Sequence, residues 1–218
     1  MRKHALIFFS LAFILALSAC SQLRLDQDSL PWNKDKQVLY QDDFTNEESG
    51  WESISNVYEL KGYSSAGYLI SVNLPNSRSW STSGYLYKNP KVSVEVRKIT
   101  GPADTNYGLV CRYLDPDNYY SFLISPDGYY AIMKKQNGST SILGAKQFTH
   151  SDAIQKDDGL NELTATCDGE NLILAVNGSE LMTVQDSAFQ RGEVGVILET
   201  RAQDGASSLF MNFEVSRP

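Results

Sequence analysis

The sequence predicts an all-β protein built as a two-sheet antiparallel β-sandwich. Three observations predict it. Apolar runs of strand length recur at near-regular spacing, roughly a dozen in all, as sandwiches require. The gaps between them carry turn chemistry: Asp115-Pro116-Asp117-Asn118, Ser125-Pro126-Asp127-Gly128, Asn137-Gly138, Asp168-Gly169 and Asn177-Gly178. Pro presets φ, Asp and Asn bond their own backbone, and Gly accepts positive φ. No stretch shows the 3.6-residue apolar period of an amphipathic helix.

Residues 1–19 read as a signal segment. Arg2 and Lys3 precede an apolar run from Ala5 to Leu17, broken only by Ser10. The run is shorter than the ~20 residues that cross a bilayer as a helix. Leu17-Ser18-Ala19-Cys20 follows. Small residues before a Cys resemble the lipobox of bacterial lipoproteins, which implies cleavage before Cys20 and acylation of its thiol and new amine. The alternative is an ordinary secretory signal with an incidental Cys. Residues 20–36 read as the lipidated Cys and a flexible tether. Residues 37–218 read as one domain. Trp32, in the tether, is either an exposed interfacial aromatic or an early packing contact.

Removing Arg2 and Lys3 from the 19 basic residues leaves 17 against 26 acidic ones, a net charge of −9. That balance argues against a nucleic-acid partner, where Lys and Arg must neutralise phosphates. It argues equally against an electrostatic grip on anionic lipid. The expected membrane partner is reached through the lipid anchor.

The domain opens on Val38 to Tyr40. Tyr58 to Leu60 and Tyr68 to Val72 look like short strands, and Arg78 to Leu86 alternates Ser with aromatics. Val92, Val94 and Val96 alternate with Ser93, Glu95 and Arg97, a clean period of two. A central meander then runs from Tyr107 to Gly138, and Thr140 to Leu143 extends it. Ser151 to Lys156 allows one helical turn inside a polar loop. A second meander follows: Leu160 to Cys167, Leu172 to Val176 and Glu180 to Val184, joined by Asp-Gly and Asn-Gly. Gly192 to Glu199 and Ser207 to Val215 close the chain.

If Cys20 is acylated, two cysteines remain for an exported domain, Cys111 and Cys167, which makes them a candidate disulfide. Two buried free thiols are the alternative.

Asp43-Phe44 with Gly50-Trp51, then the central meander, then Asn161 to Leu181, Gly192-x-x-Gly195 and Phe210 to Val215, in this order, resemble the concanavalin A-like lectin/glucanase superfamily. The likeness is nearest to its laminin-G-like and 3-keto-disaccharide-hydrolase-like jelly rolls, and it covers most of residues 37–215. It implies two curved sheets with a concave face that often binds glycans in relatives. Its motifs are motifs of fold, so activity must come from side chains.

The glucanase pattern sets Glu, Asp and Glu at alternate positions of one strand. Here the nearest strand offers Ser93, Glu95 and Arg97, which is no acid/base pair. His150 is the one histidine after the signal, too few for a His-centred triad or metal site. No cofactor is expected. Calcium is the one metal that the oxygen-rich Asp42, Asp43, Asp115, Asp117 and Asn118 invite, and turn chemistry is the preferred account of Asp115 to Asn118.

Strand alternation divides the meander between two faces. Tyr107, Leu109, Cys111 and Tyr113 are expected inward, as are Tyr120, Phe122 and Ile124. That leaves Arg112, Tyr119, Ser121 and Tyr129 as a candidate ligand-binding patch, with Trp80 and Tyr85 as extensions whose register the sequence leaves open. Ring faces stack on sugar CH groups while polar groups fix the hydroxyls. The expected function is an anchored, extracytoplasmic binding module, non-catalytic, for a glycan or envelope ligand. A glycoside hydrolase or lyase and a structural protein-interaction domain are the alternatives.

Overall fold

A computed structural model describes residues 24–27, 30, 37–203 and 205–218. The signal segment, Cys20 and most of the tether, Trp32 included, lie outside the described residues.

Sixteen strands follow one another among the described residues. They are β1 (Val38–Asp42), β2 (Ile54–Ser55), β3 (Glu59–Ser64), β4 (Gly67–Val72), β5 (Arg78–Thr82), β6 (Lys91–Thr100), β7 (Asn106–Asp115) and β8 (Asn118–Ile124). Then come β9 (Tyr129–Gln136), β10 (Ser139–Leu143), β11 (Thr149–His150), β12 (Asn161–Asp168), β13 (Asn171–Val176), β14 (Ser179–Gln185), β15 (Glu193–Glu199) and β16 (Ala206–Ser216). No helix forms at Ser151 to Lys156, where the chain makes turns instead.

The strands build two antiparallel sheets, and the sandwich is a jelly roll. One sheet has nine strands, in the order β14-β13-β12-β6-β16-β4-β3-β2, with β1 paired to β16. The other has seven, in the order β10-β9-β8-β7-β15-β5, with β11 paired to β9. Local turns set the hairpins. Gln136 pairs with Ser139 and Val176 with Ser179, so Asn137-Gly138 and Asn177-Gly178 are two-residue loops. All four turn residues have positive φ, as a type I′ turn demands.

The sheets pack through a core that includes Tyr107, Leu109 and Cys111 from β7, Tyr120, Phe122 and Ile124 from β8, and Val92, Val94 and Val96 from β6. Alternation places these residues correctly. The Cys111–Cys167 disulfide joins β7 to β12 and so ties one sheet to the other.

Alternation fails one residue later. Arg112 has φ 52°, and the β7–β8 register shifts between Cys111 and Asp115. This β-bulge inserts a residue and reverses the faces beyond it. Arg112 therefore turns into the protein and is fully buried, while Tyr113 turns out to the opposite face. Gly192 permits the bulge, since a Cβ there would sit 2.4 Å from the Arg112 carbonyl carbon.

Candidate functional site

The seven-stranded sheet turns its second face away from the core. Along β5 that face carries Arg78, Trp80 and Thr82, while Ser79 and Ser81 are buried beneath. From β7 come Val110 and the bulge-flipped Tyr113, from β8 Tyr119 and Leu123, and from β15 Ile197. Trp80 is half-buried and packs on this small cluster.

The three aromatic rings form a tilted platform. Trp80 and Tyr113 have ring centroids 6.0 Å apart, Trp80 and Tyr119 6.4 Å, and Tyr113 and Tyr119 5.8 Å, with interplanar angles between 31° and 44°. Arg78 Nη1 donates to the Tyr119 hydroxyl at 2.9 Å and stands 3.6 Å from Glu199. Burial raises the Tyr119 phenol above its ordinary pKa, against the pull of Arg78.

Beside Trp80 and Tyr113 opens a cleft of about 560 Å³, lined also by Arg24, Glu52, Thr82 and Glu193. Its volume is that of a small-ligand site. Its polar groups are held in place. Arg24 Nη1 pairs with Glu193 Oε1 at 2.5 Å, and the Thr82 hydroxyl donates to the other carboxylate oxygen. The buried Lys61 ammonium pairs with Glu52 at 2.7 Å and donates to the Trp80 carbonyl at 2.7 Å, which fixes the Trp80 backbone.

The four residues expected to form one patch do not come together. Tyr119 and Ser121 lie on the expected face, but both are buried there. Tyr129 shares the face and lies six residue positions along the β8–β9 ladder from Tyr119, about 20 Å away at the strand rise. It lines a separate cavity of about 520 Å³ with Phe148 and Arg201, and its ring meets His150 edge-on at 5.3 Å. Arg112 is not on this face. Its guanidinium is spent inside the protein, donating to the carbonyls of Phe189 at 2.8 Å, Cys167 at 3.1 Å and Lys88 at 3.3 Å. Tyr85 packs beside Tyr40 at the core and contributes nothing to the patch. Trp80, Thr82 and Glu193 take the place of Arg112. Trp80 carried the one usable signal, an aromatic in a Ser-alternating strand.

The oxygen-rich turns use their oxygens internally. Asp115 Oδ1 accepts from the Asp117 amide at 2.8 Å and from Asn118 Nδ2 at 2.9 Å. Asp42 accepts from Trp51 Nε1 at 2.9 Å and the Phe44 amide at 2.8 Å. Asp43 accepts from the Thr45 amide and hydroxyl. Among the described residues no three His, Cys, Asp or Glu side chains group as a metal site.

Glu199 lies on this face, two residues beyond Ile197 and beside Arg78. Burial pushes its carboxyl above the ordinary range, against the opposing pull of Arg78, Arg201 and Lys135. An acid whose pKa rises on folding is penalised once pH exceeds its unfolded value, about 4.3. Below that value the penalty vanishes. Glu199→Gln is therefore expected to raise Tm at pH 7 and to leave it unchanged at pH 3 in thermal melts. A lower Tm at pH 7 would mean that the Arg78 pair outweighs the burial.

No protein-family model and no curated protein matches the chain. Solved structures do share its fold. The carbohydrate-binding module CBM66 from Bacillus subtilis superposes with a TM-score of 0.62 at 16% identity, over 77% of this chain and 96% of that one. A Bacillus subtilis protein of unknown function with a galectin-like fold gives 0.60 at 11% identity, over 84% and 96%. The Crh5 transglycosylase gives 0.57 at 9% identity, over 82% and 83%. At these identities the likeness is one of fold.

Proposed function

We propose that the chain is a non-catalytic glycan-binding module, held at a membrane outside the cytoplasm by acylated Cys20. One observation carries the glycan reading. Trp80 is half-exposed on a platform of two tyrosines and borders a cleft whose carboxylates, guanidinium and hydroxyl are already oriented. A sugar ring offers an apolar CH face to the indole and a rim of hydroxyls to the polar groups. The fold shared with the carbohydrate-binding module CBM66 supports the same reading.

Trp80→Ala is expected to weaken binding to the best hit of a glycan array at least tenfold, which is about 1.4 kcal/mol. Tyr129→Ala, in the separate cavity, is expected to leave it within twofold. Titration calorimetry checks both. Equal affinity of wild type and Trp80→Ala would remove this face from consideration.

A hydrolase or lyase is the second reading, because Glu52 and Glu193 line one cleft. Acid/base work needs carboxyl oxygens free to exchange a proton with the sugar. Arg24 and Thr82 occupy both Glu193 oxygens and Lys61 takes one of the two on Glu52, which favours holding over cutting. Release of reducing ends from the bound glycan, lost in Glu193→Gln, would reverse that preference.

A further inference from the structure

The segment after the expected anchor does not hang free. Arg24 to Gln27 lies along the chain just beyond β5. The Leu86 amide donates to the Leu25 carbonyl at 3.0 Å, and the Gln27 amide donates to the Leu86 carbonyl at 3.1 Å. Asp26 forms a parallel bridge with Leu86 and accepts from Arg191 Nη2 at 3.1 Å. Gln27 is buried, and Arg24 reaches into the cleft to Glu193. Main-chain pairing, two ion pairs and a buried side chain thus fix this segment to the rim of the Trp80 cleft.

Four residue positions separate Arg24 from Cys20. A fully extended chain covers at most ~3.6 Å per residue, so they span no more than about 14 Å. Were residues 20–36 free, seventeen flexible residues would put the domain about 23 Å off the surface on average. The docked segment removes that reach and sets one particular face close to the bilayer. The domain's net charge of −9 repels anionic head groups, so phosphate is a poor occupant and a neutral sugar a good one.

We propose that the Trp80 cleft binds the glycosyl head groups of lipids in the same membrane that holds Cys20, with Arg24 as the residue that positions the cleft against them. The inference rests on the glycan reading and on acylation at Cys20. It names the source of the sugar: a lipid head group at the surface, as against a polymer free of it.

The test uses acylated full-length protein in vesicles of phosphatidylethanolamine and phosphatidylglycerol. The vesicles are doped with glucosyl and galactosyl diacylglycerols, mono- and disaccharide, that carry a photoreactive diazirine on the sugar. The same sugars are also offered free in solution. Mass spectrometry of the irradiated protein is expected to find the label on peptides holding Trp80 or Tyr113. A twenty-residue Gly-Ser spacer between Leu23 and Arg24 leaves the docked segment intact and lengthens only the link to the lipid. It is expected to cut labelling about tenfold, because effective concentration falls as roughly the −3/2 power of tether length. Affinity for the free sugar is expected to stay within twofold. Equal labelling with and without the spacer, with free-sugar affinity retained, would overturn the head-group inference and spare the glycan reading. Loss of neither signal in Trp80→Ala, or no binding to any sugar in either form, would overturn both.

Discussion

Arg112→Ala is expected to lower the unfolding free energy by about 4 kcal/mol, without Arg112 ever touching a ligand. The guanidinium is fully buried and donates to three main-chain carbonyls and, at 3.4 Å, to Asn89 Oδ1. Truncation strands the buried Phe189 and Cys167 carbonyls without a donor, at ~1–3 kcal/mol each, and leaves a cavity besides. Burial pulls the Arg112 pKa down, with Tyr120 and Asp168 opposing. An arginine still keeps its charge under such a pull, so the fork of donors persists. Arg112→Lys is expected to recover little, since one ammonium cannot match a planar fork aimed at acceptors from three segments. Arg112→Gly is expected to lose slightly less than Ala, because φ 52° costs a residue with a Cβ about 1 kcal/mol. Urea titrations check the series through a lower midpoint at unchanged slope. A stability change within about 0.5 kcal/mol would return Arg112 to the surface, where substitutions of that size belong.

The same residue shows where sequence reading succeeds and stops. Alternation needs only a regular strand, and it sorts Tyr107, Leu109 and Cys111 from Val110, and Tyr120, Phe122 and Ile124 from Tyr119 and Ser121. The Asn-Gly turns were legible because their φ requirement is local. The bulge at Arg112 was not, because a positive φ at an arginine is imposed by what the side chain reaches from other segments. One inserted residue then moved Tyr113 from the expected core to the platform beside Trp80. Two-residue strands such as β2 and β11 exist only as partners of β3 and β9, so no local pattern marks them. The order of strands is a non-local fact too: β6 lies between β12 and β16, more than sixty residues away in sequence. Hence the face of the site was legible, and its occupants were legible only up to the first irregularity. Arg24 escaped for another reason. A polar stretch near a signal reads as a tether, and nothing in its composition announces that it docks.

Replacing Cys111 and Cys167 together by Ala is expected to cost about 4 kcal/mol. The bond closes a separation of 56 residues, and chain-entropy bookkeeping for a loop of that length gives roughly this value. Both sulfurs are fully buried between the sheets, so Ala also leaves a small void. The cost falls on the sheet-to-sheet join, since β7 and β12 belong to different sheets. It should therefore appear as a lower midpoint for the whole domain, seen equally by fluorescence and by circular dichroism. The two losses are also coupled. Arg112 follows Cys111 in the chain and donates to the Cys167 carbonyl, so the guanidinium and the disulfide brace the same crossing. Once the bond is gone, β12 can draw away from β7, and the Arg112 hydrogen bond then holds less. A double-mutant cycle over Arg112→Ala and the paired Cys→Ala change is expected to show non-additivity of about 1 kcal/mol, the triple variant losing less than the sum. Strict additivity would mean that the two braces act on separate parts of the interface. In that case the bulge at Arg112 serves the loops at Lys88 and Phe189 rather than the join between the sheets.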